Sequence, residues 1–369
     1  MALHQASPYG LFFADHALTQ LIDHIQADVR ACGEAGLLES PSEPLIPKWQ
    51  RLVAEEPQRF LEPDGLLNEE MLRQFRRLQI FVPDIPMWDP QDGGIRNLLG
   101  GGRRGDRLMV DECLDLVRLS PYEPLLRKYP CSDIGQPYVF RRDGYEYTYR
   151  WLKHVWSLGL MQDVLGARLP ENFVALDIGS SYGIFSGLVK HEWPQSHHVL
   201  VDFPQQLFLA HYFLGRWHPN ARIAGIREVL GQSTLTREWF EQYDFVLVPC
   251  TRFGAVSGGS VDLVSNFASL GEMTRTWFNT YAYSEPVDAA KYLFFVNRVE
   301  SAPTYDTDVT ILDYPIWATR RTKLHFAVSA PFSRPLIRPR KRWLLHGHEP
   351  NHPYFEYIGE RQTSGENRQ

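Results

Sequence analysis

Cysteine is scarce in this chain: four in 369 residues, at Cys32, Cys113, Cys131 and Cys250, with no C-x-x-C pair. That spacing is no disulfide framework, argues against a zinc ribbon or redox dithiol, and fits a reducing compartment. No apolar run approaches about 18 residues, so no transmembrane helix is expected. The opening MALHQASPYGLFFADHAL has no basic segment leading into an apolar one, so no signal peptide is expected and a cytoplasmic location follows. The sequence also lacks a G-x-x-x-x-G-K-[ST] phosphate loop and any internal repeat, and His191, His197, His198 and His211 lack metal-ligand spacing. Basic charge is not in excess. Lys plus Arg is 38 against 44 Asp plus Glu, and a net charge of -6 argues against a protein that coats nucleic acid.

What is present is an ordinary globular composition, 44% hydrophobic and 22% charged, long enough for two domains or one large domain with an appendage. Aromatic residues reach 13%; their flat amphipathic rings suit a core, and also sugar or base faces. The first third reads as helices and loops. Helical spacing covers Phe12 to Ala31, Asn68 to Gln79 (with Asn68 as N-cap) and Leu108 to Val117. Glycine and proline mark Pro83 to Gly105 as a loop.

From residue 170 short apolar runs alternate with helical segments, the pattern of βαβ units and a parallel sheet. Strands are expected at Phe173–Ile178, His198–Phe203, Phe245–Val248, Val261–Asn266 and Tyr292–Val296, and helices at Ile184–His191, Gln205–Trp217, Thr236–Tyr243 and Arg275–Tyr283. Ile316–Arg320 and Lys323–Val328 read as a hairpin. Beyond Pro331 lies a broken basic stretch with Arg334, Arg338, Arg340, Lys341 and Arg342, read as a tail. The resulting organisation is a mainly helical domain over 1–135, acting as a lid, an α/β domain over 136–330 and a basic tail over 331–369.

The most informative stretch is Phe173-Val-Ala-Leu-Asp177-Ile-Gly179-Ser-Ser181-Tyr182-Gly183-Ile-Phe, an apolar strand entering a glycine-containing turn that opens a helix. Glycine lets the backbone turn sharply and approach a ligand, and the helix N-terminus presents free N–H groups. Asp202 follows nineteen residues after Gly183, at the end of a second apolar strand, where a carboxylate can take both hydroxyls of a ribose. The turn lacks the G-x-G-x-x-G of a dinucleotide site. An acidic residue just before the first glycine disfavours pyrophosphate and suits a cationic ligand such as S-adenosylmethionine.

These residues resemble a bacterial family of sugar O-methyltransferases of the class I, S-adenosylmethionine-dependent type. The resemblance lies in Asp177-Ile-Gly-Ser-Ser-Tyr-Gly183, Val201-Asp202-Phe203-Pro204, Asn266-Phe267-Ala-Ser269-Leu-Gly-Glu272-Met273 and Asn297-Arg298-Val299-Glu300. Upstream, Asp133-Ile-Gly135-x-Pro137 and Tyr147-Thr148-x-Arg150 also match, so it spans about residues 131 to 330. It departs at Ser180 and Ser181, where the family has glycines; a serine at a position needing positive φ is strained.

The resemblance implies a Rossmann-like class I methyltransferase core with a mostly parallel seven-stranded sheet. It implies a cofactor site from Asp177, Gly179, Ser181, Tyr182, Gly183, Asp202, Phe203, Asn266 and Phe267. It puts Glu272 over the donor methyl as proton acceptor, with His154, four residues beyond Arg150, as the rival base. Tyr147, Arg150, Ser269, Asn297 and Arg298 are expected at a sugar or glycan acceptor. The alternation Tyr145, Tyr147, Tyr149, Trp151 offers rings on one side of an extended segment. Magnesium and a homo-oligomer stay open, as do another natural-product acceptor and a non-catalytic scaffold that binds the cofactor.

Overall fold

A computed structural model describes residues 8–39, 41–55, 59–62, 64–78, 80–81, 84, 101–301, 305, 307–328, 332 and 353–362. Its centre is an eight-stranded sheet. A separate hairpin, β1 (Phe140–Arg142) and β2 (Tyr145–Tyr147), precedes it, turning at Asp143-Gly144. The sheet contains β3 (Val174–Ile178), β4 (His197–Asp202), β5 (Ile223–Ala224), β6 (Phe245–Pro249), β7 (Leu263–Phe267), β8 (Tyr292–Arg298), β9 (Arg321–Val328) and β10 (Tyr354–Arg361). Its spatial order is β5-β6-β4-β3-β7-β8-β10-β9. All neighbours are parallel except β10, which runs antiparallel to both β8 and β9. This is a Rossmann-like class I methyltransferase fold. The order reverses at β3, with β4 on one side and β7 on the other, so the crevice at its carboxyl end is where such sheets bind ligands.

The strands are apolar almost without interruption because helices cover both faces. Alternate residues feed two cores. Val174, Leu176 and Ile178 of β3 pack with Val199, Val246, Leu293, Phe295 and Tyr357 on one face. On the other, Ala175, Leu200, Phe294 and Ile358 join Phe208 and Leu214 of the helix Pro204–Trp217. That second core continues without a break into the N-terminal helices α1 (Pro8–Glu34), through Ile25 and Val29, and α3 (Glu69–Arg73), through Leu72. The helical segment expected as a domain over 1–135 therefore shares its core with the sheet.

The expected strands and their helices appear with shifts of a residue or two, except that the helix at Thr236–Tyr243 shrinks to Arg237–Phe240. Asn68 does cap α3, its side chain accepting from the Met71 amide at 3.1 Å. Five expectations need correction. The eighth strand, β5, is two residues long and too short for any periodicity to reveal. The segment expected as a loop up to Gly105 is helical from Gly101 (Gly101–Arg118), its glycines carried by the fully buried face Val110, Cys113, Leu114 and Val117. Residues 85–100 lie outside the described residues.

The hairpin at Ile316–Arg320 does not form, since Pro315–Trp317 is a 3-10 turn and β9 pairs instead with β10. That strand falls inside the stretch read as a basic tail. Its Tyr-Phe-Glu-Tyr-Ile run is buried at the centre of the antiparallel edge, while Arg334 to Arg342 lie outside the described residues. Finally, the extended aromatic segment ends at Thr148. Its hydroxyl accepts from the Trp151 amide at 3.2 Å and starts the helix Tyr149–Leu165, so the four rings do not share one face.

One buried cation fastens the N-terminal segment to the sheet. Arg76 Nε lies 2.7 Å from Asp84, and its Nη1 donates to the Ser132 and Ile134 carbonyls at 2.6 and 3.1 Å. Its guanidinium lies over the rings of Tyr182, Phe213 and Trp151. The Tyr182 hydroxyl also donates to Asp84. Removing one member of a buried pair typically costs about 3–5 kcal/mol, because the partner charge is left uncompensated. Arg76→Ala should therefore lower stability by about that amount in urea unfolding, and Asp84→Asn added to it should recover part of the loss. A loss under about 1 kcal/mol would show that this contact does not fasten the segment.

Candidate active site

The turn after β3 is held in left-handed backbone conformations: φ is 69° at Gly179, 55° at Ser181 and 84° at Gly183. The Gly179 and Ser180 amides donate to the Val201 carbonyl of β4, at 2.8 and 3.3 Å. Asn266 donates to the Ile178 carbonyl at 2.6 Å and accepts from the Leu270 amide, clamping the turn from the β7 side. Ser269 supports the same carbonyl at 3.2 Å. There is no room for a side chain at Gly179, where a Cβ would lie 2.1 Å from Ser269 Oγ.

The two carboxylates expected at the cofactor stand side by side. Asp177 accepts from the Ser265 hydroxyl at 2.8 Å. One oxygen of Asp202 accepts from the Ser181 amide at 2.7 Å, the other from the Phe203 amide at 2.8 Å. Burial pushes Asp177 up to about 7 against the Ser265 hydrogen bond, and the nearby Asp202 adds to the rise. Burial likewise pushes Asp202 up to about 7, opposed by its two backbone donors. Both groups would ionise more readily with a cation beside them.

Asp177, Gly179, Ser181, Asp202 and Phe203 line a cavity of about 770 Å³. The helix α2 (Pro47–Glu55) contributes Lys48, Trp49, Arg51 and Leu52, with Trp49 packed beside Phe203. The helix Tyr149–Leu165 adds Tyr149, Arg150, Lys153 and His154, and Glu272, Arg298 and Tyr305 close the end. Glu272 Oε1 accepts from Arg298 Nη1 at 2.6 Å, and Lys48 Nζ lies 3.9 Å from Oε2. Burial alone would raise the Glu272 pKa, but Arg298, Lys48 and the Tyr305 hydroxyl hold it below the ordinary carboxylate value. It is an ionised carboxylate at neutral pH. His154 packs near Phe185 and Phe267, and burial, with Lys153 and Arg150, pushes its pKa well below the usual imidazole range, so its ring is neutral.

Of the residues expected in the site, Asp177, Gly179, Ser181, Asp202, Phe203, Phe267, Arg150, His154, Ser269, Glu272 and Arg298 line this cavity. Tyr182, Gly183, Asn266, Tyr147 and Asn297 do not. Tyr182 is buried against Phe75 and Phe213, and Gly183 starts the helix Ile184–Glu192. Asn297 precedes Arg298 in a strand, where neighbouring side chains point to opposite faces; it is fully buried. Tyr147 and Tyr145 donate to Asp111 and Glu123 of the N-terminal helices, so they brace the hairpin and are not free to stack on a sugar. Rings that do line the cavity include Trp49, Tyr149, Phe203, Phe267 and Tyr305.

Lys153 was missed in the sequence. It stands three residues after Arg150, and positions i, i+3 and i+4 share a helix face, so the spacing that singled out His154 also singles out Lys153. Nothing local in the sequence marks Lys48 or Tyr305. Among the described residues no group of three or more His, Cys, Asp or Glu is arranged to hold a metal ion, and no helix is long and apolar enough to cross a membrane.

No protein-family profile and no curated protein matches the sequence. Similar solved structures include an rRNA methylase from Streptococcus thermophilus, at 11% identity over 56% of this chain and 97% of that one, TM-score 0.33. The YcgJ protein from Bacillus subtilis is 11% identical over 57% of this chain and 99% of its own, TM-score 0.34. A phosphoethanolamine N-methyltransferase from Haemonchus contortus, in complex with phosphomonomethylethanolamine and S-adenosylhomocysteine, is 12% identical over 56% of this chain and 52% of its own, TM-score 0.36. At these scores the fold assignment rests on the strand order itself. One fold hosts acceptors of many classes, so the expected exclusion of nucleic acid still rests on net charge alone.

The turn makes a direct prediction. Gly179→Ala adds a left-handed L-residue, at about 1–2 kcal/mol, and a clash with Ser269, at about 1–3 kcal/mol. Gly254→Ala, whose new methyl meets nothing within 4 Å, serves as the control and should change stability by under about 0.5 kcal/mol. Urea midpoints of the two variants check this; equal effects would contradict the geometry of the turn.

Proposed function

We propose that the chain is an S-adenosylmethionine-dependent O-methyltransferase acting on a sugar hydroxyl, in a nucleotide sugar or at a glycan end. The observation that supports this most is the pair Asp177 and Asp202, two buried carboxylates at the carboxyl ends of adjacent strands, lining one cavity beside a left-handed turn. The cavity volume falls within the range of about 300–1,000 Å³ typical of small-ligand sites. Each Asp202 oxygen has one backbone donor and keeps a second lone pair, so the carboxylate can still accept two ribose hydroxyls. Asp177 suits the ammonium of the donor. Phe203 and Phe267 supply apolar walls, while Asn266, Tyr182 and Gly183 act behind the site by fixing the turn.

When bound, the cofactor supplies a methyl group made electrophilic by its sulfonium. The protein's part is to align the acceptor oxygen, exclude water and take a proton. Glu272 remains the proposed proton acceptor. Arg298 lowers its basicity but fixes its orientation and keeps it ionised. A weak base suffices here, because the hydroxyl proton becomes strongly acidic as the new O–C bond forms. His154, neutral and lining the same cavity, is the rival. A sugar as acceptor is supported by the sequence resemblance. A non-catalytic scaffold that binds the cofactor is the second reading, favoured by Ser180 and Ser181 in place of glycines; Ser181 adopts the left-handed conformation as a serine.

Four outcomes are expected. S-adenosylhomocysteine should raise the melting temperature and NAD should not. Asp202→Ala should remove most of that shift, since two charge-assisted hydrogen bonds of about 1.5–3 kcal/mol each are lost. Affinity for S-adenosylmethionine should increase from pH 6 to pH 8, by about tenfold for each carboxyl that must ionise from a pKa near 7. The sign follows from the raised values: below pH 7 Asp177 and Asp202 are mostly protonated and attract a cation less. Calorimetry at several pH values measures it, and affinity that falls with pH would oppose the assignment. Glu272→Gln should slow single-turnover methyl transfer by about 10²–10⁴-fold with cofactor affinity kept. If His154→Gln collapses the rate and Glu272→Gln does not, His154 is the base.

A further inference from the structure

Three cations that line the cavity, Lys48, Lys153 and Arg298, gather near one carboxylate: Lys48 and Arg298 pair with Glu272, and Glu272 also attracts Lys153. Lys153 forms no hydrogen bond or ion pair with any described residue, although its neighbours include Arg150 and Arg298. Arg298 Nε is buried without a partner among the described residues.

We infer that the acceptor carries an oxyanion, a phosphate or a carboxylate, which seats against Lys153 beside Arg298 and Lys48. The inference rests on the methyltransferase reading for which end of the cavity takes the acceptor. A neutral sugar leaves the Lys153 ammonium without an ion-pair partner and the buried Arg298 Nε without an acceptor among the described residues, and burying a polar group unpaired is costly. Burial, with Arg150 and Arg298, pushes Lys153 down to about 7 against the pull of Glu272 and Asp177. Burial lowers Lys48 as well; Glu272 opposes the shift, and Arg298, Arg150 and Arg51 add to it. An anion at this place favours the charged form of both.

The test uses the full chain, titrated by calorimetry with inorganic phosphate, glucose 1-phosphate, glucuronate and glucose, each with and without saturating S-adenosylhomocysteine. Binding of the anionic probes with at least tenfold preference over glucose is expected, weakening as salt screens the charges. The glucose 1-phosphate and glucuronate arms tell phosphate from carboxylate. Lys153→Met should weaken the anions at least tenfold, leave S-adenosylhomocysteine affinity within twofold, and raise the melting temperature of the unliganded protein, because an uncompensated buried charge is gone. Lys153→Arg should keep anion binding. The inference is overturned if glucose binds as well as its phosphate, if Lys153→Met leaves anion affinity unchanged, or if that variant loses S-adenosylhomocysteine, which assigns Lys153 to the donor's carboxylate. Failure of S-adenosylhomocysteine to bind the wild type, with the anions still bound through Lys153, overturns the methyltransferase reading and leaves the anion site standing.

Discussion

The hydrogen bond from the Ser181 amide to the Asp202 carboxylate joins the turn after β3 to the end of β4. Everything at the donor end of the cavity depends on it. To aim that amide, the chain adopts left-handed conformations at three alternate residues, one of them a serine, at a cost of about 1–2 kcal/mol where a Cβ is present. The donors to the Val201 carbonyl and the clamp from Asn266 offset the cost by satisfying groups that a tight turn would leave unpaired. The result is two carboxylates set side by side and buried, ready to ionise fully when a cation arrives.

The second wall is built by a distant part of the chain. Arg76 and Asp84 fasten the N-terminal segment against Tyr182, directly behind the turn. This brings α2 across the carboxyl edge of the sheet, where Lys48 meets Glu272. Asp177 and Asp202 stand at the turn, where Arg150 reaches the Ser181 hydroxyl at 3.4 Å. Glu272 is held ionised between Lys48 and Arg298.

Much of this was legible in the sequence where the physics is local. Strands β3, β4, β6, β7 and β8 are buried on both faces, so their apolar runs stand out. The turn is readable because glycine and acidic residues have fixed geometric uses there. Strand β5 is too short to show a period. Strand β10 was hidden by the arginines before it, although Tyr354 to Ile358 carries the composition of a buried strand. In the site, the strand sends Asn297 and Arg298 to opposite faces, so only Arg298 reaches the cavity. The helical period places Lys153 beside Arg150 and His154. Lys48 and Tyr305 carried no local signal, because their roles come from contacts made across more than two hundred residues of chain.

The central claim is that a methyl group passes from S-adenosylmethionine to a sugar oxygen in this cavity. The most direct measurement is transfer of a radiolabelled methyl group to a panel of nucleotide sugars and polysaccharide, with RNA and small natural products as competing acceptors, with and without magnesium. Label is expected on a sugar hydroxyl in at least one member of the panel, stable to mild base as an ether is. Label found only on RNA or on another small molecule would contradict the sugar acceptor. No label on any acceptor, from protein that binds S-adenosylhomocysteine tightly, would contradict the claim that the site is catalytic.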